Sequence, residues 1–362
     1  MATNPESPED EQPRAAAPAT HEQAALLRTQ GRRELVVAQE LAALKERTRA
    51  SGLSSKEREC LKNAHKALIQ APAGWRRQVR VCQQFVPRLA HLRAQFPHFA
   101  QVIEAIEGTV HLACYGNRVV AMPPMLLVGP AGVGKTYFAA RLAATLRLPY
   151  EEIHMENTSA GWILAGSDAT WAEGRPGRIY DVMAHGHYAN PLVLLDEIDK
   201  VSMDARYNPM GPIYGLLEGH TAARFRDEYM RVAMDVSGIN WMLTANALDT
   251  VPLPIRSRTR IYTIPEPNFR QRRAIVGQMY HLLRAKHDWG RRFDPVLDGD
   301  VADFLAEAPG STRDVRATLM RAFERASVRG GQALQRGDVE ELDDRVWASG
   351  IDLRSVAVLG HA

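Results

Sequence analysis

The sequence predicts an α/β protein: a parallel β-sheet layered with helices, preceded by a helical region and followed by a smaller helical unit. Three observations predict it. Short, unbroken apolar runs, MLLVG (125–129), VLLDE (193–197), WMLTAN (241–246) and RIYTI (260–264), alternate with helical stretches. Runs of this kind belong to strands buried on both faces, which is the mark of a parallel sheet under helices. The sequence also turns helical after Pro265, through FRQRRAIVGQMYHLLRAK and STRDVRATLMRAFERASVRG. Before residue 116, helix punctuation takes the place of strand texture.

In chain order, residues 1–22 hold Pro, Glu, Ala and Ser with almost no large apolar group, so a disordered tail is expected. Residues 23–115 read as a helical region. Val37, Leu41 and Leu44 fall at i, i+4 and i+7. Ser54 and Glu57 have capping-box spacing before KERECLKNAHKALIQ, and Pro72 ends that helix. Two or three more helices follow, broken near Pro87 and Pro97. Arg76, Arg77, Arg80, Arg88 and Arg93 in this stretch read first as a solvated helix face and second as a nucleic-acid contact. The sheet is expected over 116–265 and the helical unit over 266–362. No internal repeat is visible.

Composition narrows the class. The 362 residues suffice for two or three domains with a large core. A net charge of +3, from 45 basic and 42 acidic residues, is too balanced to argue for nucleic acid by electrostatics. Cys60, Cys82 and Cys114 are scattered and odd in number, which speaks against a disulfide framework or a zinc site and for a reducing compartment. The N-terminus has no basic-then-apolar leader, and no run of about 18 apolar residues occurs. A cytoplasmic protein with no membrane span is expected.

The most specific stretch is Gly129-Pro130-Ala131-Gly132-Val133-Gly134-Lys135-Thr136, between a strand and a helix. It fits GxxxxGK[ST], the phosphate-binding loop. Glycines let backbone N–H groups turn inward around phosphates, and the helix N-terminus adds positive potential. Lys135 is expected on the β- and γ-phosphates of ATP, and the Thr136 hydroxyl on Mg²⁺. The strand PLVLLDEIDK ends in Asp196 and Glu197. A carboxylate at the end of a buried strand needs a cation, so Asp196 suits the Mg²⁺ shell and Glu197 the activation of water. A third strand ends in Asn246, an amide able to reach the γ-phosphate or the water. Arg256, Arg258 and Arg260 cluster before the next strand as a basic patch or an arginine finger, and Arg313 and Arg316 open a later helix. One loop, GSDATWAEGRPGRIYD (166–181), sets Trp171 among turn-forming residues. Such a tryptophan is either a core anchor or a contact for something outside the fold.

Together these motifs resemble an AAA+ ATPase, and within that group the ATPase module of Lon proteases, over roughly residues 100–330. The distinctive stretches are TWAEGRPGRI (170–179), LLDEIDKVSMDARYNP (194–209), FRDEYMRVAMDVSGINWMLTANALDTVP (225–252) and GSTRDVR (310–316). The resemblance implies a five-stranded αβα subdomain, a helical lid, and a homo-hexameric ring with ATP between subunits. It implies that Asn246 is the sensor-1 asparagine, Arg258 the arginine finger and Arg313 the sensor-2 arginine, with Arg256, Arg260 and Arg316 as alternatives. It implies that Trp171 lines an axial pore and grips polypeptide. The chain departs from the pattern at Ser257, where the family has aspartate, at Ala172, and at Glu173, where it tends to have glycine. The stretch after residue 330 is too short for the family's protease domain. The expected function is an Mg-ATP-hydrolysing protein remodeller or unfoldase without intrinsic proteolysis. A nucleic-acid-associated loader or accessory ATPase and a slow nucleotide-switched scaffold are the alternatives.

Overall fold

The structure is a computed structural model, and it describes residues 19–70, 72–155, 162–167, 174–201 and 210–340. The described chain opens with α1 (His21–Thr29), β1 (Arg32–Glu34), α2 (Ala38–Thr48), α3 (Ser55–Leu68), β2 (Trp75–Arg77), α4 (Phe85–Gln95) and α5 (Ala100–Tyr115). It continues with β3 (Met125–Val128), α6 (Lys135–Thr145), β4 (Tyr150–His154), α7 (Trp162–Ala165), α8 (Arg178–His185) and β5 (Leu192–Asp196). Next come α9 (Gly211–Leu216), α10 (Gly219–Ala222), β6 (Phe225–Arg226), β7 (Ala233–Met234), β8 (Asn240–Ala245), α11 (Leu253–Arg256) and β9 (Arg260–Thr263). Helices α12 (Phe269–Lys286), α13 (Gly299–Glu307), α14 (Thr312–Val328) and α15 (Arg336–Glu340) follow.

Five strands form a parallel sheet in the order β4-β5-β8-β3-β9. All four apolar runs are strands of it. Successive side chains on a strand point to opposite faces, and here both faces are apolar. Leu126, Val193, Leu195, Trp241 and Leu243 belong to one core, while Met125, Leu127, Leu192, Leu194 and Met242 belong to the other. Helices α2, α3 and α8 supply the first core, and α4, α5 and α6 the second. The helices after β9 build a third core of their own around Tyr280, Phe293, Leu319 and Phe323.

The N-terminal segment differs from the expectation in several ways. Helix α1 begins inside the expected tail, because Thr20 caps it in a reciprocal box with Gln23; residues 1–18 of that tail lie outside the described residues. Residues 23–115 are not helical throughout, since β1 and β2 pair antiparallel. Val37 stands at the N-cap of α2 and is 48% exposed, whereas Leu41 and Leu44 are buried. The Ser54–Glu57 box caps α3 as the spacing predicts. Pro87 does not break a helix: it sits in the first turn of α4, where a missing N–H costs no hydrogen bond.

Arg76 is not on a solvated face. It lies on β2, only 5% exposed, and its guanidinium bonds the carbonyls of Gly186 (2.8 Å), Ala184 (2.8 Å), Ala67 (2.9 Å) and Trp75 (3.1 Å). Ala67 lies in the last turn of α3, and Ala184 and Gly186 at the end of α8. Helix ends leave carbonyls without partners and carry negative potential, so one planar cation serves two helices. Arg76→Ala is expected to cost about 3 kcal/mol or more, because buried carbonyls lose their donors and a cavity opens. Arg76→Lys should recover less than half of the loss, since an ammonium lacks the fork that reaches both helices. Urea denaturation of the three proteins checks this; full recovery by lysine would refute the geometric account.

Candidate functional site

The phosphate-loop sequence leaves β3 and enters α6, the context its motif requires. Gly132 and Gly134 take φ values of +79° and +92°, which glycine adopts freely. At Gly129 a Cβ would stand 2.3 Å from the Ile264 carbonyl oxygen, and at Gly132 2.4 Å from the Ser311 Cβ. The loop is therefore pressed between the exit of β9 and the head of α14. The Thr312 hydroxyl donates to the Gly132 carbonyl at 2.9 Å. On the N-terminal side, His98 lies 3.0 Å from the Val133 carbonyl through Nε2, and burial lowers its pKa.

Lys135 is 7% exposed, and its ammonium donates to Gly129 O (2.6 Å), Pro130 O (3.0 Å) and Asn246 Oδ1 (3.1 Å). None of these acceptors carries a charge. Burial lowers the lysine pKa, while Asp199, Asp196 and Glu197 pull it upward from further away. A buried cation held by neutral oxygens lacks an anion, and a phosphate meets that need. Thr136 Oγ1 lies 3.1 and 3.0 Å from the two Asp196 oxygens. Thr244 of β8 donates to the same carboxylate at 2.5 Å and accepts the Glu197 N–H at 2.9 Å. Thr136 and Asp196 offer the hard oxygen ligands that Mg²⁺ prefers.

Glu197 adopts φ +57° and ψ +50°, a left-handed conformation that costs a non-glycine residue about 1–3 kcal/mol. Its carboxylate pairs with Lys200 at 2.9 Å. Asp199 accepts the Asn246 N–H at 2.9 Å, tying the end of β8 to the turn after β5. Lys135, Thr136, Asp196, Glu197 and Asn246 are thus gathered at the carboxyl ends of β3, β5 and β8, where open α/β sheets bind ligands.

The arginines lie further out. Arg258 bonds Glu218 at 2.5 Å and the Pro254 carbonyl at 2.8 Å. Arg256 spends its guanidinium on the carbonyls of Val251 (2.6 Å) and Asp249 (2.7 Å). Arg260 is exposed on β9, and Arg313 and Arg316 are exposed in the first turns of α14. Sequence reasoning missed Thr244, Asp199, His98 and His154, which approaches Asp196 (3.7 Å) and Glu152 (3.3 Å). Only the strand-end position of Thr244 carried a signal.

Trp171 lies outside the described residues, as do 168–173. The stems of its loop are described and nearly touch. A Cβ on Gly177 would stand 2.2 Å from the Leu164 carbonyl oxygen and 2.4 Å from the Gly166 nitrogen. Across the neck the Ser167 N–H donates to the Arg175 carbonyl at 3.1 Å, and the Arg175 N–H donates to the Ser167 hydroxyl at 2.9 Å. Asp227, with no exposed surface, closes the neck by accepting N–H groups from Gly177 (2.8 Å), Tyr229 (3.0 Å) and Met230 (2.8 Å). Its carboxylate also fills the space a Cβ on Gly166 would need, 2.7 Å away.

Residues 125–266 match the ATPase family associated with various cellular activities (AAA). The Lon protease of Nitrosococcus oceani is 34% identical over 174 residues, 46% of this chain and 22% of that protein. Lon protease 1 of Thermus thermophilus is 33% identical over 162 residues, 44% of this chain and 20% of that protein. The chain thus spans about a fifth of the length of the curated relatives it matches. A cryo-EM structure of Hsp104 with an ATP analogue and FITC casein shares the fold, at TM-score 0.55 and 15% identity over 68% of this chain and 48% of that one. Among the described residues, no helix is long and apolar enough to cross a membrane.

Burial raises the Asp227 carboxyl to about 6, above the ordinary 3.8, against the lowering effect of its three N–H donors. Between these values the folded chain holds a proton that the unfolded chain has released. The group's stabilisation is complete below pH 3.8 and is lost as pH rises through 6. Asp227→Asn cannot titrate. Its stability deficit against the natural protein should be larger at pH 5 than at pH 7.5 by about 1 kcal/mol. Urea melts at both pH values measure this, and a deficit independent of pH would refute the buried-carboxyl assignment.

Proposed function

We propose that this chain, whose residues 125–266 belong to the AAA ATPase family and resemble the ATPase module of Lon proteases, is an Mg-ATP-driven protein remodeller that works as a homo-hexamer. The observation that carries the reading is the buried Lys135 ammonium. It is held by three uncharged oxygens, beside a threonine–aspartate pair and a strained glutamate.

In this reading Lys135 binds the β- and γ-phosphates, together with the N–H groups of the loop from Gly129 to Thr136. Thr136 and Asp196 would hold Mg²⁺, which would supply charge neutralisation at the phosphates. Glu197 takes the proton of the attacking water as general base, with its carboxylate first released from Lys200. Asn246, tied to Lys135 and Asp199, orients the water or the γ-phosphate. Arg313 serves from the lid, two residues beyond Ser311, which abuts Gly132. Arg258 serves a neighbouring subunit and must first exchange Glu218 for phosphate. Arg258 and Glu218 are each about a third exposed, so the guanidinium exchanges one anion for another without leaving a buried charge unpaired.

The protein-remodelling part of the reading rests on the Thr170–Arg178 stretch and its neck. A loop whose stems are pinned by a buried carboxylate transmits movement of the fold to its tip. Its tryptophan offers a broad apolar face with little side-chain entropy to lose. Nucleotide-dependent displacement of that face would drag a polypeptide.

Glu197→Gln is expected to retain ATP binding and lose hydrolysis by about 10²–10⁴-fold, the usual worth of a general base. Nucleotide binding and steady-state phosphate release check both halves, and wild-type turnover would sink the assignment. Trp171→Ala is expected to keep its melting temperature and basal ATPase while stimulation by unfolded casein collapses, with Trp171→Tyr retaining much of it. A melting-temperature loss equivalent to about 3–5 kcal/mol would instead make Trp171 a core anchor and remove the threading argument.

A further inference from the structure

A second cavity, of about 450 Å³, opens where β1, β2 and the end of α6 meet. Arg32, Arg77, Arg80 and Arg147 line it, with Gln78 and Tyr188. Among the described residues no carboxylate lines it, and no ion pair is made by any of the four arginines. The adjoining groove shows the contrast. There Arg28 pairs with Glu34 at 3.9 Å, Arg33 with Asp235 at 2.8 Å and Arg226 with Glu40 at 3.3 Å.

Register sharpens the point. Arg32 stands directly across from Arg77, and Arg33 from Arg76. Residues opposite one another on paired strands share a face, and like charges there are destabilising. On one face the repulsion is answered: Arg33 has Asp235, and Arg76 has four carbonyls. On the other face, Arg32 and Arg77 make no ion pair among the described residues, and Glu34, which shares that face, is paired with Arg28. Arg147 adds an independent observation. It follows the C-cap of α6 with φ +55°, a left-handed position where glycine is cheapest. Holding arginine there places a fourth guanidinium at the cavity at a cost in backbone strain. The floor is Gly31, φ +74°, where a Cβ would meet Arg80 Cδ at 2.7 Å, so Arg80 lies across the cavity unobstructed.

We propose that this cavity binds an oligophosphate, at a site separate from the phosphate loop. The volume suits a ligand of nucleotide size. Guanidinium forks match phosphate oxygens bidentately. A terminal phosphate carries about −1.5 to −2 at neutral pH and a bridging one about −1, so a chain of about three phosphates balances four arginines. The site is joined to the loop by α6 itself, whose 11 residues span about 16 Å from Lys135 to the turn holding Arg147. The proposal is independent of the hydrolytic reading, because none of its residues touches the loop.

Calorimetry with inorganic tripolyphosphate tests it on the full chain. Lys135→Ala, which disables the loop, should still bind one tripolyphosphate. Adding Arg77→Ala and Arg80→Ala should weaken that binding about 100-fold, at about tenfold per charged hydrogen bond. Arg147→Gln alone should weaken it about tenfold. All three positions are exposed and leave the cores untouched, so melting curves should be unchanged. ATP displacing tripolyphosphate from Lys135→Ala at tenfold lower concentration identifies a nucleotide as the ligand; equal potency identifies a free phosphate chain. The proposal is overturned if Lys135→Ala binds no tripolyphosphate, or if the arginine variants bind within threefold of it. It is likewise overturned if single-stranded DNA binds and tripolyphosphate fails to displace it.

Discussion

Lys135 brings a full positive charge to a place with almost no water and no negative partner of its own. Most of the surrounding structure can be understood as what makes that tolerable. Three uncharged oxygens receive the ammonium, and two of them belong to the loop the lysine terminates. The loop curls tightly enough for this because Gly132 and Gly134 sit in left-handed conformations. The third oxygen, from Asn246, arrives only because β8 lies beside β3 and Asp199 fixes its last turn. Removing the charge would leave a polar concavity without purpose. Keeping it makes the concavity selective for anions.

The same economy governs the negative side of the site. Asp196 is 6% exposed at the end of β5, and two threonine hydroxyls on different elements share its oxygens. One of them, Thr244, also receives the Glu197 N–H, so the position of the Asp196 carboxylate and the strain of its neighbour are set by one side chain. The parallel sheet is what permits this. All its strands end on one edge, so groups far apart in sequence meet without a dedicated loop for each.

Legibility from sequence followed the range of the interaction. The phosphate loop, Asp196, Glu197 and Asn246 were readable because each is tied to a local pattern: a glycine spacing, or a polar residue closing an apolar run. Strand β4 was not readable. It is an edge strand, YEEIH, that buries only Ile153 and shows no apolar run. Strands β1 and β2 are three residues each and are defined by each other rather than by their composition. Asp227 and Arg76 look like surface charges in FRDEYMR and GWRRQVR. Their burial is a consequence of partners 50 and about 110 residues away, which no window of sequence contains.

The way the N-terminal helices share both sheet cores bears on how such a module travels between proteins. Leu44 and Leu68 complete the core on one face, and Leu89, Phe99 and Ile103 that on the other. The segment matched to the family, 125–266, therefore covers each apolar face only in part when taken by itself, with α8 on one and α6 on the other. It is not a cassette that recombination can splice behind an arbitrary leader. Any gene fusion that inherits residues 125–266 must also inherit, or reinvent, the rest of the wrapping for each face. The N-terminal helices are thus a structural part of a sheet they never join, and deleting them would expose apolar residues of both faces.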